Sequence, residues 1–265
     1  MKLCMMSCMM YRYSPEEIVQ TAVDCRMEAI DWVSSNTWAD PAYLRKISED
    51  AGLTVAAHTI LRSAFVQRGK NALDDFKRSL EFACILGAPV MMQPPFPRVE
   101  QVSREDDFNA WKEFYAQTQP LVKACNITLT TEATGIETSP VTTAKELLDL
   151  MESVPGLKCT LDHGNMETAE PSLDAYLKLK EYVVQIHLKD WKIFSSPQPG
   201  TALKRCGKYF ADAVIGTGDM DLKGFWDTLD ARGRDLYVNL ETGDFSGTSS
   251  TAEVLKKTAD ALRSW

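Results

Sequence analysis

Eight apolar runs of strand length alternate with amphipathic, helix-length segments along the 265 residues, and few folds accept that arrangement. The first four runs begin near Leu3-Cys-Met-Met-Ser, Glu28-Ala-Ile-Asp-Trp-Val, Thr54-Val-Ala-Ala-His and Pro89-Val-Met-Met-Gln. The last four occupy residues 127–132, 157–162, 183–187 and 236–241. All are continuous rather than alternating, as expected of parallel strands buried on both faces. Several helix starts are signposted. Ser14-Pro-Glu-Glu17 offers an N-cap serine, proline at the first helical position and glutamate at the third, and Thr143-Ala-Lys-Glu146 and Ser250-Thr-Ala-Glu253 repeat the capping box. Gly52 and Gly87 are placed to close helices at their C-termini. Eight strand–helix units in a chain of this length predict an α/β fold, a (β/α)₈ TIM barrel spanning residues 1–265 as one domain. A doubly wound open sheet is the rival, but it wants a glycine-rich turn after an early strand, and no G-x-G-x-x-G follows the first run. Two longer connections, 94–98 and 189–221, are predicted to be loops on the substrate-holding face.

The last four runs share a second property. Each ends in a group that binds divalent cations: Glu132, Asp162, His187 and Glu241. A carboxylate at the end of an apolar run is costly to bury without a partner. In a barrel the strand ends converge on one mouth, so these four predict a shared ion. Three carboxylates and one imidazole suit Mn²⁺, Mg²⁺, Co²⁺ or Zn²⁺ better than copper or an iron–sulfur cluster. Taken singly, each carboxylate has a bland role as a cap of the next helix, and the histidine as a satisfied core residue. The concerted placement of all four argues against that.

Other residues are expected around the same mouth. His58 ends the third run and is predicted to reach it, as a substrate contact or as a structural group. His163 follows Asp162 and, by strand alternation, points away, with Asn165 turning back toward the site. Lys189 and Trp191 are candidate substrate contacts, and Asp190 is expected to orient a loop or a metal ligand. Trp32, Trp38, Phe65 and Phe96 lie in or near mouth loops, where each serves either a sugar face or loop packing. The stretch 216–221 reads either as a phosphate cradle or, preferably, as a tight loop with Asp219 or Asp221 capping the next helix.

A formal charge of −8 and a pI near 5.0 disfavour non-specific binding to nucleic acid or to an anionic membrane surface. The seven cysteines are odd in number, without C-x-x-C spacing, and read as reduced thiols of a cytosolic protein. The methionine-rich start lacks a small-residue cleavage pattern, and no apolar stretch approaches a membrane span. The expectation is a soluble, cytoplasmic protein acting on a small molecule; self-association into a homo-oligomer stays open.

Five segments carry a family likeness: Thr131-Glu132, Leu161-Asp162-His-Gly-Asn165, Ile186-His187-Leu-Lys-Asp190, Ile215-Gly-Thr-Gly-Asp-Met-Asp221 and Leu240-Glu241. Together they resemble the xylose isomerase-like TIM-barrel superfamily, and within it the sugar (phosphate) isomerase/epimerase branch with its ketose 3-epimerases and hydroxypyruvate isomerase. The resemblance implies that Glu132, Asp162, His187 and Glu241 bind one divalent metal. It further implies that Glu132 and Glu241 act as acid and base on opposite faces of a small sugar or related polyhydroxy carbonyl compound, through a metal-stabilised enediolate. The chain departs from the ketose epimerase pattern around the substrate. Asn165 stands where those enzymes carry histidine and Ile193 where they carry arginine. Thr138 stands at the spacing of their second glutamate, with Glu137 one short. These departures keep a metal-dependent lyase in view, a dehydratase or β-eliminase on a keto-sugar, keto-inositol or 3-oxo-glycoside. A non-catalytic sugar-binding barrel is a further alternative, disfavoured because all four ligand positions are filled. Endonuclease IV, of the same superfamily, needs many more histidines than the three present, and an Asp-x-His that 207–212 lacks.

Overall fold

The computed structural model describes residues 1–34, 39–61, 63–67, 71–98, 102–245 and 247–265. All eight predicted runs form parallel strands: β1 (Lys2–Met6), β2 (Ala29–Val33), β3 (Thr54–Thr59), β4 (Val90–Met92), β5 (Thr128–Thr131), β6 (Lys158–Asp162), β7 (Val183–Leu188) and, later in the chain, β11 (Tyr237–Leu240). They close a barrel in the order β1-β11-β7-β6-β5-β4-β3-β2. Between them run α1 (Pro15–Asp24), α2 (Pro41–Asp50), α3 (Ala72–Leu86), α4 (Arg104–Ala124), α5 (Ala144–Ser153), α6 (His163–Glu167), α7 (Ser172–Leu179), α8 (Leu222–Thr228) and α9 (Ala231–Arg234), with α10 (Thr251–Leu262) closing the ring.

Local chemistry sets these boundaries. Ser14, Thr143 and Ser250 each accept from the backbone N–H three residues on, and Glu17, Glu146 and Glu253 reciprocate. Gly87 closes α3 in the left-handed conformation at φ 79°, a region that costs a side-chain-bearing residue about 1 kcal/mol. Trp32, Trp111, Tyr115, Tyr176 and Phe225 are fully buried between strands and helices, each contributing roughly 2–3 kcal/mol of hydrophobic stabilisation.

The connection 189–221 is not the irregular loop expected from its prolines and glycines. It builds a second, antiparallel sheet in the order β8-β10-β9, from β8 (Asp190–Phe194), β9 (Ala202–Leu203) and β10 (Tyr209–Ala213). β8 begins two residues after β7 ends, so the chain leaves the barrel wall and enters the flap without a break. The flap therefore stands over the C-terminal end of β7.

Candidate active site

Glu132 follows β5 directly, Asp162 ends β6, His187 is the penultimate residue of β7 and Glu241 follows β11. These strands are neighbours in the barrel, and the register pairs Asp162 with His187. The four side chains come together: one ligand atom from each lies within 4.8 Å of every other. His187 Nδ1 is 2.8 Å from Glu241 Oε1 and 3.4 Å from Glu132 Oε2. Glu132 Oε2, Asp162 Oδ2 and His187 Nδ1 are buried and make no well-oriented hydrogen bond; their close polar neighbours are one another, Glu241 and the Lys189 ammonium. Buried acceptors left this way are expensive unless an ion or water completes them. Oxygen-rich, imidazole-containing and converging, this set fits a divalent cation.

Lys189 is the one ammonium among these groups. Its Nζ lies 2.9 Å from Asp162 Oδ2 and 2.5 Å from Glu241 Oε2, and donates to Asn165 Oδ1 at 3.3 Å. Burial lowers its pKa, but Asp162, Glu241 and Glu132 outweigh burial and hold it well above the usual lysine value. Burial pushes the Asp162 pKa up to about 7, aided by Glu241 and Glu132 and opposed by Lys189. Glu241 is pulled the other way. Burial raises it, yet Lys189 and His187 prevail and bring it to about 2. His187, although buried, is held above its ordinary value by Glu132 and Glu241. This cluster gathers more negative than positive charge and resolves the excess by holding protons.

The space above it is a cavity of about 220 Å³ at the barrel mouth. Glu132, Glu241, Asn165, Lys189 and Trp191 line it, as does Phe96 from the proline-rich 94–98 loop. Trp191 donates from Nε1 to the Gly164 carbonyl at 2.9 Å. Gly164 itself is required there, because a Cβ would come within 2.1 Å of Lys189 Cγ. The Asp-His-Gly-Asn run thus opens a path for the Lys189 stem and sets Asn165 beside its head.

His58 does not join the group. Strand alternation puts Thr59 into the barrel, where it donates to Asp31 at 2.7 Å. It turns His58 outward, against Phe82 of α3 at 4.8 Å, with Nδ1 on the Trp32 carbonyl at 2.7 Å. Burial lowers the His58 pKa to about 4, which suits a neutral packed ring. His163 also points away from the mouth, against Phe225 at 4.4 Å. Trp32 donates to Ser48 at 3.1 Å and Phe65 stacks on Phe114, so both serve packing; Trp38 lies outside the described residues.

Asp190 orients a loop rather than a ligand. Its carboxylate accepts from the backbone N–H groups of Trp191, Gly216 and Gly218 at 2.9, 3.0 and 2.8 Å. The glycine loop is a cradle for an anion, and the anion is this side chain. A Cβ on Gly218 would meet Asp190 Oδ1 at 2.0 Å. Asp221 caps α8 through the Gly224 N–H, while Asp219 instead accepts from Ile193 N–H.

Two groups escaped the sequence reading. Lys204, just after β9, lines the cavity and lies 5.1 Å from the Trp191 ring centroid; its placement depends on the flap that the sequence did not reveal. Beneath His187, Asp31 accepts from Asn239 at 2.9 Å, and Asn239 also meets His187 Nε2 at 3.1 Å. A polar group in the middle of an otherwise apolar second run was the available signal for Asp31.

The profile of the xylose isomerase-like TIM barrel matches residues 20–265. The chain belongs to the xylose isomerase-like TIM-barrel family. Solved structures of similar fold include 3-keto-D-glucoside 4-epimerase from E. coli, at 13% identity and TM-score 0.79 over 100% of both chains. D-psicose 3-epimerase shares 17% identity at TM-score 0.76, over 99% of this chain and 97% of that one. A probable 3-DHS dehydratase from Bacillus anthracis shares 16% identity at TM-score 0.74, over 99% of each. No curated protein matches the chain by sequence. Within this family fold, no helix among the described residues is long and apolar enough to cross a membrane.

Proposed function

We propose that this barrel is a divalent-metal-dependent isomerase or epimerase of a small sugar or related polyhydroxy carbonyl compound. The observation that carries the reading is the convergence of Glu132, Asp162, His187 and Glu241 within 4.8 Å of one another, with buried acceptors among them that make no well-oriented hydrogen bond. Those four residues would hold Mn²⁺, Mg²⁺, Co²⁺ or Zn²⁺. Bound there, the ion supplies Lewis acidity to a carbonyl and an adjacent hydroxyl of the substrate.

The chain's own residues do the rest. Glu241, held ionised by Lys189 and His187, takes the proton from the carbon beside the carbonyl. In epimerisation Glu132, across the cluster, gives its own carboxyl proton to the opposite face while Glu241 keeps the one it took; in aldose–ketose interconversion Glu241 gives its proton back to the neighbouring carbon as the hydroxyl proton passes to the former carbonyl oxygen. Return to the opposite face epimerises; return to the neighbouring carbon interconverts aldose and ketose. Lys189 and Asn165 orient substrate oxygens at the cavity floor, and Trp191 with Phe96 excludes water from its wall.

A lyase is the second reading, favoured by the position of Lys189: a charged donor at the cavity floor serves a departing oxygen as readily as a retained one. Metal-loaded protein incubated in D₂O with a panel of ketoses and 3-keto-glycosides separates the two. Deuterium on a substrate carbon without loss of mass supports the isomerase; loss of water or aglycone supports the lyase. No exchange and no loss across the panel counts against both.

A further inference from the structure

The geometry points to a substrate that carries a carboxylate, recognised by Lys204 from the flap. This rests on the metal-dependent reading above and narrows it to acidic keto-sugars.

The argument begins with charge. Glu132, Asp162 and Glu241 bring three negative charges to the cavity floor. Lys189, in contact with two of them, and a divalent cation together cancel all three. Lys204 remains. It lines the same cavity, and among the described residues no carboxylate lies within ion-pair distance of it. Its one hydrogen bond goes to the Gly135 carbonyl at 2.5 Å. An ammonium has three donors, so two are left for a ligand. Burial keeps its pKa below the ordinary lysine value, opposed by Asp212 of the flap and aided by Lys189; Asp212 acts on it from beyond ion-pair distance and leaves its donors free.

The position is fixed rather than incidental. Lys204 sits at the turn of the β9–β10 hairpin, its backbone N–H on the Lys208 carbonyl at 2.9 Å. The Trp191 ring is close to both lysines, its centroid 5.8 Å from Lys189 Nζ and 5.1 Å from Lys204 Nζ. Lys189 touches the carboxylate cluster, whereas Lys204 enters the cavity lining from the flap. A neutral keto-sugar leaves Lys204 unmatched, whereas a monoanion with its charge remote from the carbonyl completes it. A carboxylate fits better than a phosphate. The backbone-amide cradle beside the mouth, at Gly216 and Gly218, is filled by Asp190, leaving one lysine rather than a nest for the anion.

The test uses a matched set of open-chain-accessible ketoses: D-fructuronate, D-fructose and D-fructose 6-phosphate. Binding to the Mn²⁺-loaded full-length protein is read by titration calorimetry, so that turnover is not required. D-fructuronate is expected to bind about tenfold more tightly than D-fructose, with the ratio shrinking as salt is raised. In Lys204→Met the ratio falls to near one, and in Lys204→Arg most of it returns. Equal affinities in the wild-type protein, a preference that survives Lys204→Met, tightest binding of the phosphate, or no binding of any of the three overturns the assignment. The metal titration that precedes these measurements keeps the two readings apart. Absence of a metal site sinks the proposed function itself, whereas a metal site without fructuronate preference sinks the carboxylate alone.

Discussion

Two buried anionic sites lie a few residues apart, and their partners could hardly differ more. Asp190 meets three backbone N–H groups at 2.8–3.0 Å. At the mouth, Glu132 Oε2, Asp162 Oδ2 and His187 Nδ1 are equally buried yet make no well-oriented hydrogen bond, and the one lysine in contact with the cluster reaches two of its three carboxylates. The first arrangement is complete in the folded chain and holds the flap to the barrel. The second is left with more buried anionic acceptors than donors, and in the proposed reading a cation completes it. A buried carboxylate alone says little about role; the inventory of its partners says a great deal.

The largest effect that sharpens this contrast is on turnover. Glu241→Gln is expected to lower kcat by about 10²–10⁴-fold, the usual range for loss of a general base. Its melting temperature should fall as well, because Lys189 and His187 lose a buried partner, so turnover is read at a temperature where circular dichroism shows the variant folded. Retained turnover would remove Glu241 from the proton-transfer role.

Asp190 should respond chiefly in stability. Asp190→Ala removes charge-assisted acceptance from four amides, the longest that of Met220 at 3.4 Å, and is expected to cost about 3 kcal/mol in chemical denaturation. Gly218→Ala, which forces a Cβ against the same carboxylate, should act in the same direction. Wild-type stability in both variants would show that the cradle is not what anchors the flap.

pH dependence is the next lever. The Asp162 pKa is about 7 in the folded protein and about 4 in an unfolded chain. The metal-free folded state therefore binds more protons between those values, and its stability falls as pH rises through that window. His187, held above its ordinary value, must also release a proton before it ligates a cation. Metal competes with protons at both groups, so the rise in melting temperature on adding Mn²⁺ should be larger at pH 8 than at pH 6. An equal or reversed shift would contradict the ligand set.

The smallest effect is the most discriminating. Asp162→Asn in metal-free protein at pH 8 should change stability by no more than about 1 kcal/mol, or should stabilise, because it removes a carboxylate that burial disfavours. A cost as large as that of Asp190→Ala would mean that the mouth, too, is finished without an ion.

Much of this was legible in the sequence for physical reasons. Strands buried on both faces must be continuously apolar, so β1–β7 and β11 announced themselves, and a charged residue ending such a run stood out at Glu132, Asp162 and Glu241. Capping boxes are local, and those at Ser14, Thr143 and Ser250 formed as read. Side-chain direction was harder. His58 ends an apolar run as His187 nearly does, but period-2 alternation sends Thr59 inward and His58 out. The flap was missed because its apolar pieces, Trp191–Phe194 and Tyr209–Phe210, are short and separated by a stretch of proline, glycine and lysine that reads as loop, and Lys204 was hidden with it. The glycines at 216 and 218 suggested an anion cradle without revealing that Asp190 fills it.

Calorimetric titration of Mn²⁺ into chelator-stripped protein tests the central claim most directly, run in parallel on wild type, Glu132→Gln and His187→Ala. The account predicts about one ion per wild-type chain, as for a single closed ligand set, with affinity falling sharply in both variants. No binding to the wild type, or binding that both substitutions leave intact, would contradict it.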